Sequence, residues 1–542
     1  MSENLFKFLR DWERERDEAL ESIGKPKRAV REVTSTIEGR KTMVTDIVTW
    51  EDVKGFMPEV PVFISAGTGR GKSHFIKCVL YKDVSERHEK ILMIVNRSNV
   101  SEQFRAELEA LRRSNVVEVR TYQSLESLNE KERKEILDDL EEYDYLVMDE
   151  CQYFLDDAAF NNTTDISLDL IMRAVNPKKI FMSATGRRVK ALIEKLYQVE
   201  FECYEIPDDF SDIQTLNFFN TYDDMEMKLE EIIKRGEKSI VFIQKAETAY
   251  KLAEKLGDTA QFCCAKSNKH YQYVDENKKN EMLGRECFDG SVLVTTACLD
   301  TGINIKDRDV KHIFVDLKDV SSVIQAIGRK RTLDEHDRVN IYIKILHQKE
   351  IEDSIKSLEK KIEMSSYLMK HTEAEYIEHF PRKSDGYGIV YDEIVAGKLV
   401  KKINKMMYSN AWYQIKDLKA MLKYKEYGFC KFWAEKFGKN DKETKEYKYS
   451  VVARNKKQLE DCLKELHETR CKFYEPEERR TFFEKIGLKN KKDKLITNVD
   501  VINEYLKSLK SEYRVRKFRS SRSQNGETKS YNAAIEIIKA EK

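Results

Sequence analysis

From Val60 onward the chain alternates short, almost uninterrupted apolar runs with longer amphipathic stretches. The runs are VPVFIS (60–65), KILMIVN (90–96), VVEVR (116–120), YLVMD (145–149) and KKIFMS (178–183). They are rich in β-branched and aromatic residues and show little polar alternation, which predicts strands buried on both faces of a parallel sheet covered by helices. A second series follows: KSIVFI (238–243), SVLVTT (291–296), KHIFVD (311–316) and VNIYIKI (339–345), with helices such as 246–256 and 320–327 beside them. The pattern therefore predicts two tandem α/β units, 51–207 and 208–350.

The flanks differ. Residues 1–50 read as an N-terminal helical segment: a charged helix over 5–23, a break at Gly24-Lys25-Pro26, then a second helical stretch. Beyond 350 the strand signal fades. IEDSIKSLEKKIEMSSYLMK, KQLEDCLKELHETR and NVDVINEYLKSLKSEY are charged and amphipathic, so 351–542 is expected to be a mainly helical accessory region. Only seven prolines interrupt the 542 residues, which leaves long helices little local resistance. At the end, NVDVINEYLKSLK followed by EYRVRKFRSSRSQNGETKSY predicts a helix and a hairpin turning near Asn525-Gly526, as in a winged-helix-like module.

Charge and cysteine usage narrow the class. The net charge is +1, but 481–542 hold 15 Lys and Arg against 8 Asp and Glu, a local excess of +7. There Arg514, Arg516, Lys517, Arg519 and Arg522 mix with Tyr513 and Phe518; guanidinium groups pair with phosphates and aromatic rings stack on bases. The ten cysteines are scattered without a Cys-x-x-Cys pair, the usage of buried free thiols in a reducing compartment, and they give no support to a zinc site. No stretch has the apolar length of a membrane span, and the N-terminus lacks the layout of a signal peptide. A cytoplasmic protein is expected.

Two clusters carry the chemistry. The strand VPVFIS runs into Ala66-Gly67-Thr68-Gly69-Arg70-Gly71-Lys72-Ser73, after which HFIKCVLY begins a helix. Three glycines let backbone N–H groups converge on one anion, and the helix N-terminus adds its dipole. Lys72 supplies a point charge for β- and γ-phosphates, and the Ser73 hydroxyl can ligate Mg2+. Ala66 stands in place of the usual first glycine of such a loop. The second cluster is Asp149-Glu150, at the C-terminal end of an apolar strand, the edge where ligands sit in an open parallel sheet. One carboxylate can hold Mg2+ while the other orients and deprotonates a water.

In this order the motifs resemble those of the superfamily 2 helicases, the DEAD/DEAH-like group of phosphate-loop NTPases, over roughly residues 55–350. AGTGRGKS is similar to motif I, DECQ to motif II and Ser183-Ala184-Thr185 to motif III. VNRSNVSEQF (95–104) and TYQSLES (121–127) look like the first-domain segments that touch the phosphate backbone, which makes Asn96, Arg97, Thr121 and Gln123 candidates. SVLVTTACLDTGINI resembles motif V, with Thr295 and Thr296 toward nucleic acid and Gly302 and Asn304 toward the nucleotide. VIQAIGRKRT resembles motif VI through Gln325, Gly328 and Arg329. The family often has His or Asp where Gln152 stands and Asp where Asn304 stands. Its second motif VI arginine falls where this chain has Thr332, with Arg331 one place early.

The resemblance implies two tandem RecA-like domains that bind ATP and Mg2+ between them. Glu150 and Gln152 would act on the first side and Arg329 or Arg331 on the second, with Asp149 and Ser73 on the metal. The implied activity is a nucleic-acid-dependent ATPase that moves along or remodels DNA or RNA, DNA being the expected strand. Arg516, Lys517 and Arg519 would add backbone contacts. Two other readings stay open: an ATP-gated switch that clamps nucleic acid or a partner without processive unwinding, and a motor subunit working with partner proteins in a mobile-element or defence complex.

Overall fold

The apolar runs fold as the pattern requires. The computed structural model describes residues 31–540 apart from 38–39, 128, 160, 297–303, 335, 382–387, 396–397, 425–427, 442, 445, 453–455, 489–494 and 525–526. In the first lobe, seven parallel strands lie in the order Arg31–Glu32, Glu202–Glu205, Val62–Ser65, Lys178–Ser183, Tyr145–Met148, Ile91–Val95, Val117–Thr121. Successive side chains of a strand point to opposite faces. Phe63, Leu92, Ile94, Leu146, Met148 and Phe181 accordingly enter one helical layer. Val62, Ile64, Ile91, Met93, Val147, Ile180 and Met182 enter the other.

The second lobe repeats the scheme. Its parallel sheet has the order Ala260–Cys263, Val292–Thr295, Lys238–Ile243, Val310–Asp316, Val339–Lys344, Ile213–Phe219, Ser450–Val452. The fold is thus α/β with two tandem parallel-sheet lobes, as expected, and a C-terminal region in which helices dominate.

Several elements depart from the sequence expectation. Strands Glu202–Glu205, Ile213–Phe219 and Ala260–Cys263 are interrupted by polar residues (ECYE, IQTLNFF, AQFC) and lack the longer apolar run that marks their neighbours. Where a second helical segment is expected before residue 50, Arg31–Glu32 joins the first sheet and Thr36–Ile37 pairs with Arg40–Lys41. The β-branched residues Val33, Thr34, Thr36 and Ile37 favour extended backbone, and helix returns only at Val44–Ile47 and Trp50–Gly55. The helix expected over 5–23 lies outside the described residues. The division expected at 350 is crossed by Ser450–Val452, which adds an edge strand to the second sheet.

One accessory helix belongs to both lobes. Lys405–Lys423 starts at Asn404, whose side chain accepts from Met407 N at 2.9 Å while its amide donates to Asn162 O of the first lobe at 2.9 Å. Met406 is buried in the first-lobe core. Ala411, Ile415 and Leu418, at helical spacing, are buried in the second-lobe core with Phe429 and Trp433. The last 90 residues run Lys456–Glu468 (helix), Lys472–Phe473 (strand), Pro476–Ile486 and Val499–Ser508 (helices), then the antiparallel strands Tyr513–Gln524 and Glu527–Lys539. The strand Lys472–Phe473 pairs with Glu527–Lys539, which lies in the middle of the three-stranded sheet. The hairpin closes on the pair Gln524–Glu527, which brackets the turn expected at Asn525-Gly526, itself outside the described residues.

Candidate active site

The buried strand Val62–Ser65 ends against its neighbour, Ala66 N donating to Ser183 O at 3.1 Å, and the chain then loops to a helix beginning at Lys72. Gly69 (φ 76°) and Gly71 (φ 79°) hold the left-handed backbone that a side chain resists, and they fold the loop into a cradle of N–H groups. The Lys72 ammonium is buried and donates to Ala66 O at 2.9 Å and Gly67 O at 3.4 Å. Ser73 stands exposed at the helix start. Arg70 turns away: its guanidinium donates to Ser35 O at 2.8 Å, Thr42 O at 3.3 Å and Asp209 at 3.1 Å, tying the N-terminal hairpin and the inter-lobe linker to the loop. Only its backbone can face a phosphate.

Asp149 and Glu150 follow the strand Tyr145–Met148. Glu150 is left-handed (φ 49°), a strained setting for a residue with a Cβ, and its N–H donates to Asp149 Oδ1 at 3.1 Å. Burial first, and then the charge of Glu150, push the Asp149 carboxyl up to about 7, against the pull of Lys72. Burial alone would raise Glu150 as well. Lys72, the hydrogen bond from Gln152, Arg329 and Arg331 together hold it below the usual carboxylate value. Gln152 is buried, its amide donating to Glu150 Oε2 at 2.8 Å while its carbonyl accepts from the Ser183 hydroxyl. Ser183 Oγ accepts in turn from Thr185 N at 2.9 Å. Gln152 therefore links the acidic pair to Ser183-Ala184-Thr185 through one side chain.

The second lobe reaches this site directly. The helix Val320–Gly328 ends where a Cβ on Gly328 would stand 2.9 Å from Thr68 Oγ1 of the phosphate loop. Arg331 follows: a Cβ on Gly69 would lie 3.8 Å from its Nη1. Arg331 Nε donates to Asn304 Oδ1 at 2.7 Å, whereas its Nη1 is buried with no hydrogen-bond partner among the described residues. Burial, and then the charge of Arg329, lower Arg331 to about 10, so it stays cationic at neutral pH. Burial also lowers Arg329, and Glu150 opposes that shift. A glycine cradle, a buried ammonium, two carboxylates and an unsatisfied guanidinium N–H on the opposite wall fit a triphosphate accompanied by a divalent cation. Ser73 and Asp149 are the residues that could hold that cation.

The remaining predicted residues divide into those near this seam and those elsewhere. Gln325 uses its amide away from the loop, donating to Asp156 at 3.2 Å and Ser321 at 3.3 Å. Gly302 lies outside the described residues. Thr295 and Thr296 are buried at the end of their strand, Thr295 Oγ1 donating to Thr296 O at 3.3 Å. Asn96 and Arg97 follow one strand of the first sheet, and Thr121 and Gln123 end its neighbour; Gln123 Nε2 donates to Asn96 O at 3.2 Å. Arg97 is bound to Asp157 at 2.6 Å. On the C-terminal hairpin Arg516 donates to Glu536 at 2.9 Å, while Lys517 and Arg519 are exposed.

Sequence reasoning missed Gly186 and Asp156. A Cβ on Gly186 would lie 2.6 Å from Ser183 Cβ, so only glycine lets the chain turn there, and its place directly after Ser-Ala-Thr was the available signal. For Asp156 an acid in an otherwise apolar YFLD turn was the signal.

Residues 224–331 match the family described as the helicase conserved C-terminal domain. No curated protein matches the sequence. Among solved structures the chain is similar to S. cerevisiae Dbp5 bound to RNA and ADP BeF3, at 17% identity over 56% of this chain and 83% of that one, with a TM-score of 0.39. It is also similar to the Escherichia coli DEAH/RHA helicase HrpB, at 13% identity over 89% and 65%, with a TM-score of 0.40. A third is the Mycobacterium smegmatis helicase Lhr bound to ssDNA and AMP-PNP, at 16% identity over 56% and 42%, with a TM-score of 0.33. The second lobe is thus similar, over residues 224–331, to the helicase conserved C-terminal domain.

Proposed function

We propose that the chain is an ATP-dependent nucleic-acid translocase or helicase that hydrolyses ATP between its two lobes. The observation that carries this reading is the approach of Arg331 and Gly328 to the loop of Lys72, with an Arg331 N–H left buried and unsatisfied. Ala66–Ser73 would cradle the phosphates, with Lys72 on the β- and γ-oxygens. Ser73 and Asp149 would hold Mg2+, which when bound would screen the negative charge of those oxygens. Glu150, kept ionised by Lys72, Gln152 and the two arginines, would orient and deprotonate the attacking water. Arg331, whose Nη1 lies beside Gly69 and whose angle Asn304 fixes, is the proposed arginine to meet charge building on the γ-phosphate. Beside it Lys330 pairs with Ile305 in a parallel bridge.

The nucleic acid would cross Asn96, Arg97, Thr121 and Gln123 in the first lobe, with DNA as the proposed strand. We read the last 90 residues as a winged-helix module, on the strength of its order helix–strand–helix–helix–strand–strand. Its third helix is held to the second lobe by the buried bond from Asn220 Nδ2 to Ser508 Oγ at 2.8 Å. The exposed Lys517 and Arg519 of the hairpin are therefore its proposed phosphate contacts. Among the described residues no helix is long and apolar enough to cross a membrane, and nine cysteines are free, which supports a reducing, cytoplasmic setting.

The test is an ATPase assay with and without single- and double-stranded DNA and RNA at two salt concentrations. Stimulation by nucleic acid that weakens with salt is expected, with Glu150→Gln and Arg331→Ala each lowering turnover by about 10³-fold or more. A wild-type rate indifferent to every nucleic acid would overturn the motor reading.

A further inference from the structure

Six residues beyond Glu150 the first lobe reaches across the seam. Asp156 closes the short helix Tyr153–Asp156 that follows the acidic pair, its N–H donating to Gln152 O at 2.8 Å. The side chain that bonds Glu150 and the backbone that carries Asp156 therefore belong to one rigid turn. Opposite it lies the helix Val320–Gly328, which runs straight into Arg329 and Arg331. Asp156 Oδ2 accepts from Ser321 Oγ at 2.9 Å and from Gln325 Nε2 at 3.2 Å, one turn apart on that helix. Ser321 Oγ also lies 3.3 Å from Thr185 Oγ1 of the first lobe.

We infer that Asp156 is a positioning residue: by gripping Ser321 and Gln325 it sets the angle at which the helix Val320–Gly328 delivers Arg329 and Arg331 to the phosphate loop. Three observations converge on this. The contacts cross the seam between chain segments some 165 residues apart, so they cannot serve the local fold of either lobe. They seize the first two turns of the helix whose last residue touches Thr68, and a rigid helix transmits a tilt at one end to the other. They also account for Gln325, whose amide is drawn to Asp156 and not to the phosphate loop. Arg188 and Asp417 bond each other beside the same seam at 2.5 Å and tie the bridging helix Lys405–Lys423 to the first lobe.

The inference rests on the ATPase reading for its consequence but not for its geometry, so two measurements separate them. The first is hydrogen exchange over residues 320–331 in nucleotide-free protein. Asp156→Ala is expected to speed exchange there by about tenfold or more, and Asp156→Asn, which keeps the shape and the acceptor oxygen, to leave it near wild type. The second is steady-state ATPase, in which Asp156→Ala should lower kcat by about 10- to 100-fold with KM for ATP within about threefold, Asp156→Asn restoring most of the loss. Ser321→Ala, which removes a partner and not the acid, should reproduce a weaker form of both effects. Unchanged exchange in Asp156→Ala, or equal damage from Asn and Ala, would overturn the positioning role. A wild-type protein that hydrolyses no ATP would overturn the functional reading while the exchange result still decides the grip.

Discussion

Gly328 of the second lobe faces Thr68 of the first with no room for a side chain. A methyl group on Gly328 would stand 2.9 Å from Thr68 Oγ1 and 3.2 Å from Thr68 Cγ2, both too close for carbon. Gly328→Ala should therefore hold the lobes apart and lower kcat by at least about tenfold, since sub-ångström misplacement of a reacting group is costly. The collision is with one side chain and not with backbone, so it can be relieved. In the double variant Thr68→Ala/Gly328→Ala both colliding atoms are gone, and turnover should recover to the level of Thr68→Ala alone. Failure to recover would locate the damage in the helix Val320–Gly328 itself and remove the close approach as its cause. The same scale explains Gln152. It makes both halves of the connection, because an amide offers a donor to Glu150 and an acceptor to Ser183 at once.

At the scale of elements, most strands that sequence made legible are buried on both faces: Val62–Ser65, Ile91–Val95 and Tyr145–Met148 have no exposed residue, and only the edge strand Val117–Thr121 in the first sheet was read despite an exposed Glu118. The edge strands Arg31–Glu32 and Ser450–Val452, and the strand Glu202–Glu205 paired inside the first of these, carry polar residues, and an apolar-run criterion passes over them. The glycine-rich loop and the acidic pair stand out in the sequence because the chemistry proposed for them demands fixed residue types at short spacing. Asp156 was not, because its partners lie in the other lobe and no local pattern announces a contact across a seam. The bridging helix Lys405–Lys423 was hidden for a related reason: its amphipathic stripe reads the same whether it covers one core or two. Met406→Ala tests the first-lobe end and Ile415→Ala the second. Each should reduce the stability of its own lobe by about 2–5 kcal/mol in denaturant unfolding, the usual range for emptying a buried aliphatic site. A silent Met406→Ala would show that this side chain adds nothing to the first-lobe core, leaving the polar ties of Asn404 and Asp417 as the helix's hold there.

For the whole molecule, closing the lobes takes carboxylates out of water, and that ties the closed shape to pH. Asp156 is pushed up to about 8 from an ordinary 3.8, first by burial and then by the charge of Asp319; the Ser321 hydroxyl and Arg188 oppose the shift and Asp157 adds to it. Asp319, also at the seam, is raised by burial, with Asp417 contributing. In an open form Asp156 regains water and an ordinary carboxyl pKa, so between about pH 4 and 8 the closed form holds more protons than the open one. The sign follows: closure is most favourable at the acidic end, weakens as pH climbs through that window, and stops changing once Asp156 is ionised in both forms. Small-angle scattering of nucleotide-free protein from pH 6 to pH 9 should therefore show the radius of gyration rising toward a plateau above about pH 8. Asp156→Asn, which cannot ionise, should flatten most of that rise while leaving the acidic-end radius unchanged. If the variant kept the full slope, the pH dependence would belong to other groups. If the wild-type protein became more compact with rising pH, the seam would not be where protons are held, and burial of Asp156 against Ser321 and Gln325 would have no part in setting the spacing of the lobes.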